Sequence, residues 1–169
     1  SMDKIFTEEN GYYSIDWSNA VWATDEINAK YHTAKCSLSD VDWIMETKDK
    51  LFLVEYKNAK VQGAKKPEAF KPKDEKVLNK VAKKFYDSLH YLTLLGKEKP
   101  KEYVYILEYP YGDSSSRKMV RNRLKGKLPF TLQENIGKGK RLIEKVEVLS
   151  IAEWNANDQY RKFPIRPRE

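Results

Sequence analysis

At 169 residues the chain is the size of one domain, and 40% hydrophobic residues, including 11 Tyr and 4 Trp, supply enough apolar surface for a core, which excludes a disordered chain. Its one cysteine, Cys36, excludes an intrachain disulfide, and no apolar run approaches the roughly 20 residues that cross a bilayer. The formal net charge of +7 is unevenly spread: residues 1–56 hold 5 Lys against 11 Asp and Glu, residues 57–101 hold 13 Lys against 5 acids, and residues 117–145 hold 10 Lys and Arg against 2.

Clustered positive charge attracts polyanions, and local acidic clusters can hold divalent cations, so this segregation suits a partner such as nucleic acid. With no secretory segment at the N-terminus, the expected location is the cytoplasm, with no membrane partner. Ser1 before Met2 reads as the remnant of a removed tag, and residues 1–169 are expected to form a single domain with 160–169 as a terminal tail.

Along the chain, Ala20, Val21, Ala23 and Ile27 predict a first helix between Ser18 and about Tyr31, with Ser18 or Thr24 as its cap. Leu38 to Met45 and Leu51 to Tyr56 are β-rich runs separated by a polar Glu46 to Lys50, the pattern of a hairpin. Gly63 to Lys73, with Pro67 and Pro72 among lysines, predicts a loop. From 75 to 95, Leu78, Val81, Phe85, Leu89 and Leu92 recur every three or four residues and predict an amphipathic helix closed by Gly96; Lys76, Lys80, Lys83 and Lys84 fall mostly off that stripe.

A strand is expected from Glu102 to Tyr109, a loop at Ser114 to Ser116, a short basic helix over 117–127, a strand from Leu142 to Leu149 and a terminal helix from Ile151. A helix joining the hairpin to the next strand implies a crossover. The expected architecture is therefore an α/β three-layer domain, a mixed β-sheet with helices packed on it.

The chemistry concentrates in Asp40-Val41-Asp42-Trp43 and in Val54-Glu55-Tyr56-Lys57. Alternate residues of a strand share a face, so Glu55 and Lys57 point one way and Val54 and Tyr56 the other. A tight turn about Lys48 and Asp49 would set Asp42 opposite Glu55 and Asp40 opposite Lys57, with opposed Cβ atoms about 4.5–5.5 Å apart. Two carboxylates at that separation repel unless a cation lies between them, and Mg²⁺ typically takes one or two carboxylates plus waters. Such a metal polarises a phosphoryl oxygen and acidifies its bound water. Lys57 could position that water or stabilise developing negative charge, and the Tyr56 carbonyl is a further candidate ligand.

An Asp followed 13 residues later by Glu-x-Lys on the neighbouring strand resembles the PD-(D/E)XK nuclease superfamily. The resemblance implies a restriction-endonuclease-like α-β-β-β-α-β core and hydrolysis with Mg²⁺ or Mn²⁺, with Asp42 as the family's Asp, Glu55 as its D/E and Lys57 as its Lys. Val41 stands where the eponymous Pro would be, and the predicted helix over 75–95 has no Gln, so the Gln-x-x-x-Tyr extension of an exonuclease-like branch is absent. Many members add an acidic residue from the first helix; Glu26 is preferred here over Asp25.

Asp40 is a second ligand or a partner for Lys57. His32 and His90 are isolated from other zinc-type ligands and read as structural or surface residues, and Cys36 as a small buried hydrophobe. Trp43 and Tyr56, facing away from the site, read as core. Lys65, Lys66, Lys71 and Lys73, with Arg117, Lys118, Arg121, Arg123, Lys125 and Lys127, are candidates for phosphate contacts, which position a substrate without reading its sequence. The expected function is a metal-dependent nuclease acting on nucleic acid, DNA foremost, as a homodimer or in a larger complex. The alternatives are a non-catalytic nucleic-acid- or protein-binding module on the same fold, or a toxin or defence component with the same chemistry.

Overall fold

A computed structural model describes residues 3–60 and 69–169. Its elements are β1 (Ile5–Thr7), β2 (Tyr13–Asp16), β3 (Trp22–Thr24), α1 (Ile27–Thr33), β4 (Trp43–Glu46), β5 (Leu51–Asn58), α2 (Glu75–Leu94), β6 (Lys101–Glu108), α3 (Ser114–Lys125), α4 (Phe130–Ile136), β7 (Lys145–Leu149), α5 (Ile151–Ala156) and β8 (Ile165–Pro167), with a 3-10 turn at Tyr160–Lys162 before β8.

A five-stranded sheet runs in the order β3-β4-β5-β6-β7. The pairs β3/β4 and β4/β5 are antiparallel, while β5/β6 and β6/β7 are parallel. The sheet is therefore mixed, and α2 is the crossover between the parallel strands β5 and β6, because a parallel return needs a connection of a dozen residues or more. The hairpin turns as its polar loop implied: Thr47 N–H donates to the Lys50 carbonyl at 2.8 Å, and Trp43 pairs with Val54.

As the central strand, β5 is covered on both faces, and Leu51 to Tyr56 are all buried. Leu51 and Leu53 pack with Leu78, Val81, Phe85 and Leu92 of α2 and with Val120 and Leu124 of α3. Phe52, Val54 and Tyr56 pack on the opposite side with Ile15, Trp154, Phe163 and Ile165. Removing one such anchor, Phe85→Ala for example, would cost about 3–5 kcal/mol.

Several local expectations are corrected. The segment expected to be a helix from Ser18 divides into β3 and the short α1, because Trp22-Ala23-Thr24 finds a hydrogen-bonding edge on β4. Ser114 to Ser116 are the first turn of α3, capped by Asp113, whose side chain accepts from Ser116 N–H at 2.8 Å. The layer opposite α2 consists of a three-stranded sheet, β1-β2-β8, together with α5. Residues 160–169 are not a free tail: Tyr160, Phe163 and Ile165 are buried in that second core, and β8 pairs with β2. Cys36 is exposed. Among the described residues no helix is long and apolar enough to cross a membrane.

Candidate active site

Asp42 lies one residue before β4, and two features of α2 hold the backbone there. Ser39 N–H and its hydroxyl both donate to the Asp87 carboxylate, and Val41 N–H donates to Ser88 Oγ at 2.9 Å. The register of β4 on β5, continued one step beyond Trp43 and Val54, sets Asp42 against Glu55. Asp42 Oδ2 accepts the Tyr56 amide N–H at 2.7 Å. That bond fixes the carboxylate beside the β5 edge. An extended residue presents its N–H and C=O to the same edge, so the Tyr56 carbonyl also points to the Asp42 side.

Glu55 is buried, 5% exposed, on the face of β5 that packs against α2. Its Oε2 accepts from Lys84 Nζ at 2.5 Å. Its Oε1 is buried without a hydrogen-bond donor among the described residues. The β4–β5 register sets the Asp42 carboxyl beside Glu55, so two acidic groups act on each other there. Burial first, and then the Asp42 charge, push the Glu55 carboxyl well above the usual range; Lys84 opposes this without cancelling it. Burial also raises Asp42, with the Tyr56 amide pulling the other way. Burial works against the Lys84 ammonium, but Glu55 outweighs it, and Lys84 is raised. The arrangement calls for a proton or a cation at the carboxylate pair.

Lys57 shares this face, two residues along β5. Its ammonium lies 5.1 Å from the centroid of the Phe70 ring and has no carboxylate partner among the described residues. The charge is left available to a bound anion. Asp40 does not pair with Lys57: it precedes β4 and accepts from Asn28 Nδ2 at 3.0 Å.

A cavity of about 180 Å³ adjoins Asp42, lined by Thr7, Glu8, Glu9, Asp25, Trp43 and Tyr56. Glu26 is exposed at the N-terminus of α1 and does not line it. Asp25 is exposed as well, its carboxyl raised by partial desolvation, and it is the acidic residue of this segment that shares a cavity with Asp42. Glu8 is occupied locally, accepting the amides of Asn10, Tyr12 and Tyr13. Trp43 and Tyr56 are core residues with ring centroids 5.6 Å apart.

The residues present fit a small oxygen-seeking cation in their chemistry. The Asp42 carboxylate, the unsatisfied Glu55 Oε1 and the Tyr56 carbonyl are hard oxygen donors. Among the described residues there is no cluster of three or more His, Cys, Asp or Glu suited to a metal, so any such ion would lean on backbone and water for its remaining ligands.

The candidate phosphate contacts separate into groups. Lys71, Lys73, Lys118, Arg123 and Lys125 are exposed. Arg117 is buried, its Nε donating to Glu153 at 2.7 Å, which makes it a structural tie between α3 and α5. Arg121 donates to the Val146 carbonyl at 3.2 Å, Arg123 to the Lys73 carbonyl at 3.0 Å, and Lys127 pairs with Glu75. Lys65 and Lys66 lie outside the described residues. His32 and His90 are exposed.

Lys84 is the site residue that sequence reasoning missed. The available signal was its spacing: it lies three residues after Val81 and four before Ser88, both buried on α2. Comparison with protein-family models, with curated proteins and with solved structures finds no significant match.

Proposed function

We propose that the chain is a metal-dependent nuclease of the PD-(D/E)XK type, hydrolysing phosphodiester bonds of DNA at Asp42, Glu55 and Lys57. The observation that carries this reading is the buried Glu55 Oε1, without a donor among the described residues, on a carboxylate that the β4–β5 register sets against Asp42. Leaving such an acceptor unsatisfied costs about 1–3 kcal/mol, more for a charged group, so a site that keeps it has a use for it. Support for the fold part of the reading comes from the β3-β4-β5 meander followed by the α2 crossover to β6; the order departs from the expected core in that α1 lies between β3 and β4 and, among the described residues, no helix precedes β3.

In this reading Asp42, Glu55 and the Tyr56 carbonyl would hold a Mg²⁺ or Mn²⁺ ion. Once bound, that ion supplies polarisation of the phosphoryl oxygen and a water of lowered pKa. The protein does the rest. The Tyr56 amide fixes Asp42, and Lys84 neutralises Glu55 Oε2 while leaving Oε1 open. Lys57, without a carboxylate partner among the described residues, stabilises the negative charge that develops on the phosphoryl oxygens. Lys71, Lys73 and Lys118 supply sequence-independent phosphate attraction.

The test is incubation of plasmid and single-stranded DNA with wild type, Glu55→Gln and Lys57→Ala in Mn²⁺ or EDTA. Cutting that needs Mn²⁺ and falls about 100-fold or more in each variant is expected. Metal-dependent cutting that survives both substitutions overturns the assignment. A second reading, a non-catalytic binding module on this fold, draws on the lack of a three-carboxylate cluster among the described residues. Calorimetric titration with Mn²⁺ separates the two, because a pure binding module takes up no metal.

A further inference from the structure

The face of the sheet that carries Glu55 and Lys57 continues, past the ends of the strands, into a group of aromatic rings. Lys57 pairs in register with Leu107 of β6, and Tyr109 follows Leu107 on the same face. The Phe70 and Tyr109 rings meet edge to face at 6.4 Å, with the Lys57 ammonium over Phe70. Tyr109 is held in place by its hydroxyl, which donates to Ser116 Oγ at 2.6 Å.

From Tyr109 the chain makes a turn closed by Gly112 N–H donating to the Tyr109 carbonyl at 3.1 Å, with Pro110 and Tyr111 at its centre. Pro suits the first central position of a type II turn, and the second requires positive φ and ordinarily takes Gly or Asn. Here Tyr111 occupies it with φ of 65°. Its ring is 94% exposed and has no hydrogen bond or ring contact among the described residues. Gly112 is small for a packing reason, since a Cβ there would come within 2.7 Å of the Tyr109 ring. The turn therefore places a tyrosine where local sterics disfavour a side chain and where no hydrogen bond or ring contact among the described residues rewards it.

A solvent-facing ring two residues from Tyr109, whose ring meets Phe70 under the Lys57 ammonium, with the exposed Lys71 and Lys73 following Phe70 in the chain, is the combination by which proteins hold single-stranded nucleic acid: charge tracks the backbone and rings stack on bases. Bases within a duplex offer no free face to such a ring. We propose that Tyr111, with Phe70 and Tyr109 beside it, is a stacking platform that selects unpaired DNA and leads it to the Asp42–Glu55 site; the second half of this statement rests on the nuclease reading.

The test is fluorescence anisotropy in EDTA with a labelled oligo-dT strand and a labelled duplex of equal length, using wild type, Tyr111→Gly and Tyr111→Trp. Wild type should bind the single strand several-fold more tightly than the duplex. Tyr111→Gly should weaken single-strand binding by roughly 5-fold or more, the effect of losing one stacked base. It should leave duplex binding unchanged and the melting temperature equal or higher, because Gly relieves the positive φ. Tyr111→Trp should keep the preference. Equal single-strand affinity in Tyr111→Gly, or a wild type that binds duplex as tightly as single strand, overturns the proposal. Binding in EDTA is independent of cleavage, so loss of the nuclease reading in the Mn²⁺ assay would leave the platform standing.

Discussion

Lys84, on α2, holds one oxygen of Glu55, on β5, at 2.5 Å, and the other oxygen of the same carboxylate has no donor among the described residues. This asymmetry divides the site into a neutralised half and an open half. It also makes Glu55 dependent on a residue 29 positions away.

Removing that ammonium should destabilise the metal-free protein. Lys84→Met is expected to cost about 1–2 kcal/mol at neutral pH, below the usual figure for a broken buried pair because the Lys84 side chain is 35% exposed. Urea unfolding measures this directly. The double variant Lys84→Met/Glu55→Gln should recover most of the loss, since no buried carboxylate then lacks its counter-charge.

The pH dependence has a definite sign. The folded-state value of Glu55 is raised above its ordinary 4.5, so the folded protein binds the proton more tightly than the unfolded chain. Its contribution to stability is fully present below about 4.5 and is lost as pH rises through the folded-state value. Glu55→Gln removes the titrating group. In EDTA, the stability of wild type relative to Glu55→Gln should therefore fall as pH rises from 4.5 toward neutrality, and parallel curves would contradict the placement of Glu55 against Asp42.

Asp42 has two tasks that substitution can separate. Asp42→Asn retains an oxygen able to accept the Tyr56 amide and should stay within about 1 kcal/mol of wild-type stability, while losing about tenfold or more in Mn²⁺ affinity. Asp42→Ala abolishes the acceptor as well and should cost about 1–3 kcal/mol. Unfolding and calorimetry on the same two variants check both halves.

Asp25 and Glu26 are neighbours in sequence but not in setting. Both are exposed, but Asp25 lines the cavity beside Asp42 and Glu26 does not. Asp25→Ala should reduce Mn²⁺-dependent cutting by about tenfold, and Glu26→Ala by less than about twofold. The reverse order would restore Glu26 to the site.

The parts legible in the sequence are those set by local pattern. The alternation around Glu55, the polar Thr47 to Lys50 turn and the apolar stripe of α2 each depend on near neighbours, and the register of β4 on β5 follows from the turn. What was not legible depends on distant partners. Trp22-Ala23-Thr24 became a strand because β4 offers an edge. The three-residue strands β1 and β8 are too short to show periodicity and exist through pairing with β2. Lys84 looked like one more solvated lysine of a basic helix until the packing of α2 on β5 brought it to Glu55. Arg117 looked like a phosphate contact until α5 brought Glu153 to it.

The most direct test is anomalous diffraction from crystals of the protein soaked in MnCl₂ and collected near the manganese absorption edge. An anomalous peak between the Asp42 carboxylate and Glu55 Oε1, absent from Glu55→Gln crystals, is the predicted result. Manganese bound elsewhere, with none between these two carboxylates, would contradict it.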